Sequence, residues 1–133
     1  MSRMDDILRT SHTIAVVGLS NRRFRPSYGV AEYMKRAGFQ IIPVNPAETE
    51  IMGETCYPDL ASIPDPVDIV DIFQRSEHVP EIVEAAIRKG VKAIWMQEGV
   101  YHEEAARAAE AAGIAVVMDR CILKDHRRLA YAT

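Results

Sequence analysis

The densest concentration of chemically useful side chains lies in one stretch, Gly18-Leu19-Ser20-Asn21-Arg22-Arg23-Phe24-Arg25-Pro26-Ser27-Tyr28-Gly29. A glycine lets backbone approach a ligand closely, two serine hydroxyls donate hydrogen bonds, and three arginines supply fixed positive charge. Together they suit a small anion, a phosphate above all. The stretch matches neither GxGxxG nor GxxxxGK[ST], so this reading depends on its position in the fold as much as on its letters.

Other reactive residues fall into weaker patterns. Ser20 lacks the second glycine of a GxSxG nucleophile elbow and no His-acid pair stands beside it, which argues against a hydrolase. His12, His78, His102 and His126 have no partners at metal-ligand spacing and read as surface or capping residues. Cys56 and Cys121 lie far apart and form no CxxC pair, so separate reduced thiols are expected. Cys121 and His126 are five residues apart, off the i, i+4 spacing that would bring them face to face, and Cys121 reads as a buried structural cysteine. Asp119-Arg120 and Glu98-Gly99 follow apolar runs and are placed to line a cleft, with Asp119-Arg120 expected as a structural ion pair.

The elements that must position these residues emerge from periodicity. Short apolar runs predict strands at Thr13 to Val17, Gln40 to Val44, Asp68 to Phe73, Ala93 to Met96 and Ala115 to Met118. They do not alternate with polar residues, as befits strands covered on both faces. Helical stripes run between them: Val30, Tyr33, Met34 and Ala37; then Val79, Ile82, Val83, Ala86 and Ile87; then Ala105, Ala108, Ala109 and Ala112. These helices end at Gly38, Gly90 and Gly113, while Pro80 and Glu81 suit a first helical turn. Asn45 to Pro66, rich in turn residues, predicts loops with at most a short helix near Asp59 to Ile63. The sum is one α/β domain spanning residues 1–133, a Rossmann-like doubly wound parallel sheet of about five strands with helices on both faces. Its ligand site is expected beyond the carboxyl ends of the strands, where the first stretch joins the first strand to the first helix.

Composition narrows the classes further. The 133 residues are 48% hydrophobic and 26% charged, with a net charge of -3, and contain no apolar run near the length of a membrane span. An acidic chain argues against nonspecific nucleic-acid binding. Met1 to Asp6 lacks the apolar core of a secretory signal, so a cytoplasmic address is expected.

Taken together, Val17-Gly18-Leu19-Ser20, Pro43-Val44-Asn45-Pro46, Asp71-Ile72-Phe73, Ile94-Trp95-Met96-Gln97 and Met118-Asp119-Arg120-Cys121 resemble the small stand-alone CoA-binding protein family. That family is similar in fold to the CoA-binding N-terminal domain of the succinyl-CoA synthetase alpha subunit. The resemblance implies coenzyme A or an acyl-CoA as ligand and no ligase chemistry, since the phosphorylated histidine of that enzyme sits in a further domain. It implies that Gly18, Leu19 and Ser20 meet the pyrophosphate, Asn45 and Pro46 border the adenosine, Phe73 and Arg75 flank the cofactor, and Gln97 faces the same cleft. Relatives often carry a lysine soon after the Asn-Pro pair, where this chain has Ala47-Glu48-Thr49-Glu50, which leaves the 3′-phosphate contact unassigned, with Arg22, Arg23 and Arg25 as candidate substitutes. Ser27 and Tyr28 complete the expected set at the helix start.

Two other readings compete. An oxidoreductase using NAD or NADP is compatible with the fold and the arginines, but the acid expected at the end of the second strand is replaced by Asn45-Pro46, with Glu48 and Glu50 only later. A metabolite sensor or subunit engaging an unidentified protein partner is the third.

Overall fold

The computed structural model of the chain describes residues 3–132. Five parallel strands, β1 (Thr13–Val17), β2 (Gln40–Val44), β5 (Ile69–Ile72), β6 (Ala93–Met96) and β7 (Ala115–Val117), form one sheet in the order β2-β1-β5-β6-β7. The order reverses on the two sides of β1, so the carboxyl ends of β1 and β5 flank a topological switch point. This is the doubly wound sheet the apolar runs predict.

Both faces of β1 are sealed by different elements. Ile14 and Val16 pack toward α1 (Arg3–Thr10), α2 (Pro26–Arg36) and α5 (Ile122–Ala132), through Ile7, Leu8, Tyr28, Val30, Met34 and Ile122. Ala15 and Val17 pack on the other face toward α3 (Val79–Lys89), α4 (Glu103–Ala111) and a 3-10 turn at Leu60–Ser62. Trp95, 0% exposed at the middle of β6, donates its indole N–H to the carbonyl of Arg120 at 3.0 Å. A ring of that size can be fully buried because its one polar atom is satisfied.

Several elements differ from the sequence expectations. Helix α1 was not anticipated, and Ile7 and Leu8 are its two buried residues. The predicted loop between residues 45 and 66 contains a two-stranded hairpin, β3 (Glu50–Ile51) and β4 (Glu54–Thr55), turned by Met52 and Gly53 at φ of 44 and 79°. Both central residues have positive φ, the geometry that matches strand twist in a tight hairpin. The expected short helix is the 3-10 turn, whose first amides are capped by the Asp59 carboxylate accepting from Ser62 N at 2.9 Å. In α4 the buried stripe is Ala105, Ala106 and Ala109, with Ala108 and Ala112 outside. In α2, Ala37 is exposed and Ala31 packs instead. An alanine-rich helix offers apolar side chains all round, and its face is chosen by the sheet rather than by its own pattern.

The third and fifth strands are each shorter than expected. Asp68 lies outside β5, where its carboxylate accepts from His12 N at 2.7 Å and Thr13 N at 3.2 Å. Burial alone would raise the pKa of this group, yet the two amides, with Lys92 nearby, hold it below the ordinary value. Asp68 thereby ties the start of β1 to the start of β5.

Asp71 is the opposite case. It occupies the middle of the sheet, in register with Val16 on one side and Trp95 on the other, 1% exposed, and its Oδ1 has no hydrogen-bond partner. Burial pushes its pKa well above 3.8. The folded state therefore holds this proton to higher pH than the unfolded chain does, so the group's contribution is full below 3.8 and is lost as pH rises through the elevated native value. Asp71→Asn keeps the shape and removes that loss. Urea midpoints should show the variant more stable than the wild type at pH 8, with the gap narrowing toward pH 4. A variant less stable at pH 8 would mean that an ionised Asp71 is used in the fold.

No helix among the described residues is long and apolar enough to cross a membrane.

Candidate functional site

The first loop leaves β1 at Gly18, whose φ is 91° and whose amide donates to the Val44 carbonyl at 2.9 Å. A Cβ at this position would lie 2.3 Å from the Phe73 carbonyl oxygen and 2.9 Å from Gln74 Nε2. Only glycine fits, because the loop after β1 presses against the loop after β5 at the switch point. Ser20 N then donates to Ser27 Oγ at 3.1 Å, and Arg22 N donates to Ser20 Oγ at 3.1 Å, so the two serines fold the loop back onto the start of α2.

Helix α2 begins with proline in its first turn, no side chain caps it, and its first turn carries no acid. The positive end of the helix is thus uncompensated and faces the loop. Gly18, Ser20, Arg22, Arg25, Pro26, Ser27, Asn45 and Phe73 enclose a cavity of about 380 Å³ at that point. Arg22 and Arg25 have no ion-pair partner among the described residues. Unpaired guanidinium groups at a bare helix N-terminus can hold a phosphate through charge-assisted hydrogen bonds.

Asn45 works as a bracket beside this cavity. Its Nδ2 donates to the Leu19 carbonyl at 3.0 Å, its Oδ1 accepts from Ala47 N at 2.9 Å, and its own amide donates to Tyr57 O at 2.9 Å. The end of β2 and the first loop are thereby locked together. Neighbouring Asn21 donates to the Glu48 carboxylate at 3.3 Å, which places an acid at the rim.

Two further cavities continue the cleft. Toward α3, one of about 530 Å³ is walled by Val17, Val44, Pro46, Gln74, His78 just before α3 and Ile82 within it, among others. Toward α5, one of about 560 Å³ is walled by Val30, Phe73, Arg75, Gln97, Val100 and Cys121, with Pro26 shared with the central cavity. Phe73 borders both the central and the α5-side cavities. The three occupy the carboxyl edge of the sheet from β2 to β7.

The sequence-derived residues take distinct places in this cleft. Gly18, Ser20, Arg22, Arg25, Ser27, Asn45 and Phe73 gather round the central cavity, Pro46 lies in the α3-side one, and Arg75 and Gln97 in the α5-side one. Leu19 and Tyr28 send their side chains into the core, at 0% and 9% exposure, so a ligand meets at most their backbone. Arg23 is exposed and borders none of the three cavities. Arg75 is 84% exposed and its nearest acid is Glu77 at 3.8 Å.

Cys121 is a lining residue that sequence reasoning treated as structural; it is buried, as expected, but in the wall of the α5-side cavity. His126 faces elsewhere: its Nδ1 is 3.0 Å from Tyr33 Oη and its ring meets Phe39 edge-on. Arg120 binds Asp125 in a bidentate pair at 2.7 and 2.9 Å, and Asp119 instead accepts from Gly99 N at 2.7 Å. The expected Asp119-Arg120 pair is therefore replaced by an Arg120–Asp125 clamp that pins the start of α5, since one helical turn brings Asp125 under the guanidinium.

Known proteins are similar to this chain in sequence and fold. The sequence profile of a family described as a CoA binding domain matches residues 12–127. The YneT protein of Bacillus subtilis (strain 168) is 40% identical over 125 residues, covering 94% of this chain and 93% of that protein. The ADP-forming acetate–CoA ligase II of Archaeoglobus fulgidus is 33% identical over 100 residues, covering 74% of this chain but 15% of the ligase. Among solved structures, a hypothetical protein from Pyrococcus horikoshii OT3 superposes with a TM-score of 0.93 at 38% identity, covering 96% of this chain and 89% of the other. The dinucleotide-forming acetyl-coenzyme A synthetase 1 of Ca. Korarchaeum cryptofilum superposes with a TM-score of 0.73 at 26% identity, over 84% of this chain and 27% of that one.

Proposed function

This chain belongs to the CoA-binding domain family, and from that premise we propose that it holds coenzyme A or an acyl-CoA along its three-part cleft without catalysing a reaction of its own. The observation that carries the reading is the central cavity, where Gly18, Arg22, Arg25 and the uncapped start of α2 converge. The pyrophosphate lies there. Adenosine extends beside Pro46 into the α3-side cavity, and pantetheine extends past Phe73 into the α5-side cavity.

The NAD(P) alternative has less support. Dinucleotide domains hold the ribose diol with an acid at the end of the second strand. Here that place belongs to Asn45, whose side chain is spent on Leu19 and Ala47, and Glu48 is engaged with Asn21. A cytoplasmic setting suits a CoA-binding chain with two free cysteines. The ligases that resemble this chain are several times its length, so a partner protein supplying chemistry is a consistent extension of the reading.

Calorimetric titration of nucleotide-free protein with CoA, 3′-dephospho-CoA and NADPH separates the possibilities. CoA should bind at micromolar concentration or tighter and 3′-dephospho-CoA at least ~tenfold more weakly, a difference of ~1.4 kcal/mol. Saturable NADPH binding with no heat from CoA would move the protein to redox chemistry.

A further inference from the structure

We propose that Cys121 captures the sulfur of coenzyme A as a mixed disulfide at the far end of the cleft. The inference rests on the CoA reading above and adds a covalent state to it.

The sheet itself supplies the ruler. Strands are spaced ~4.8 Å apart, and three spacings separate the end of β1, where Gly18 meets the phosphates, from the end of β7, which runs into Cys121: ~14 Å. The pantetheine arm carries about as many in-line atoms as four residues of backbone, ~14 Å when extended. An arm leaving the central cavity and crossing β5 and β6 therefore brings its sulfur to Cys121. The α5-side cavity follows that path, with Phe73 from the end of β5, Gln97 from the end of β6 and Cys121 beyond β7.

Gln97 points independently to a ligand in this cavity. Its side chain is 4% exposed, and its Oε1 accepts from Ile122 N at 3.1 Å, which fixes the carboxamide. The Nε2 donor has no partner among the described residues although the side chain lines the cavity. An amide donor left open at the wall of this cavity can donate to a carbonyl oxygen of the ligand. The carbonyl of pantetheine nearest the sulfur lies a little more than one residue's length of chain from it, ~4–5 Å. That matches the single strand spacing between the ends of β6 and β7.

Cys121 suits an exchange reaction by position. It immediately precedes α5, an eleven-residue helix, and lines the cavity wall where the arm would end. Its thiolate attacks one sulfur of CoA disulfide. The bond between the two CoA sulfurs breaks, a bond from Cys121 Sγ to the bound CoA sulfur forms, and the other CoA leaves as thiolate and takes up a proton from water. Cys121 is oxidised and the departing CoA reduced, so the electrons balance; a small thiol reverses the step. Cys56 lies elsewhere, with its Sγ 3.5 Å from the Asn45 carbonyl and outside all three cavities.

The test incubates reduced protein with CoA disulfide and, separately, with glutathione disulfide, and follows intact mass and peptide maps. One CoA should appear per chain, on Cys121, and dithiothreitol should remove it. Its formation should be at least ~100-fold faster than the glutathione adduct at equal concentration, because binding holds the disulfide in place. Cys56→Ser should react like the wild type and Cys121→Ser should not react. An adduct on Cys56, no adduct, or equal rates for the two disulfides overturns the proposal. Calorimetry with reduced CoA, run in parallel, identifies which reading has failed: binding without adduct removes the disulfide state alone, and absence of binding removes the CoA reading with it.

Discussion

Replacing Gly18 by alanine should abolish detectable ligand binding and lower stability by about 2–5 kcal/mol. Two costs add at this position. A left-handed backbone conformation costs a residue with a Cβ roughly 1–2 kcal/mol, and Gly18 has φ of 91°. The new methyl would also stand 2.3 Å from the Phe73 carbonyl oxygen, which belongs to backbone and cannot rotate away. Overpacking of that kind adds about 1–3 kcal/mol and must push the loops after β1 and β5 apart. Those loops form the floor of the central cavity, so a shift of several tenths of an ångström there disrupts phosphate contacts even where the chain still folds. Thermal unfolding should move down by about 10 °C. Gly53→Ala is the internal comparison, since that residue also has positive φ, at 79°, but its Cβ would meet nothing within 4 Å. It should cost only the conformational part, ~1 kcal/mol, and leave CoA affinity within twofold. Equal stability losses in the two variants would remove the close approach at Gly18 from the account.

The second large effect concerns the arginines, which divide by position. Arg22 and Arg25 wall the central cavity and Arg23 does not. A charge-assisted hydrogen bond contributes about 1.5–3 kcal/mol, and solvent exposure of these side chains places their effects toward the low end. The Arg22→Ala/Arg25→Ala double variant should therefore weaken CoA by about 100- to 200-fold in calorimetry, while Arg23→Ala changes it by less than about twofold. Raising salt should weaken the wild type more than the double variant, because exposed charge contacts are screened. A loss as large from Arg23 as from the pair would mean that the loop closes in a different conformation on its ligand.

What could be read from the sequence followed from how locally each feature is determined. The five parallel strands are continuous apolar runs, and such runs are hard to house anywhere but between two covered faces. The first loop was legible because a single segment carries its glycine, serines and arginines. Helix α1 was not, since Ile7 and Leu8 are too few to establish a period among charged neighbours. The hairpin of β3 and β4 was hidden by strands of two residues each, although Met52-Gly53 is a weak turn signal. The role of Cys121 depends on three loops meeting from β5, β6 and β7, and no local pattern encodes that meeting. Leu19 and Tyr28 sit in the stretch proposed to bind the ligand yet face the core, where their buried side chains anchor the loop.

The most direct test is an amide chemical-shift titration of the isotope-labelled protein with CoA. The account predicts saturable shifts that begin at Gly18, Ser20, Ser27 and Arg25, extend to Phe73 and Gln97, and leave α4 and the β3–β4 hairpin unmoved. Saturation with shifts confined to other surfaces, or no shifts at millimolar CoA, would contradict it.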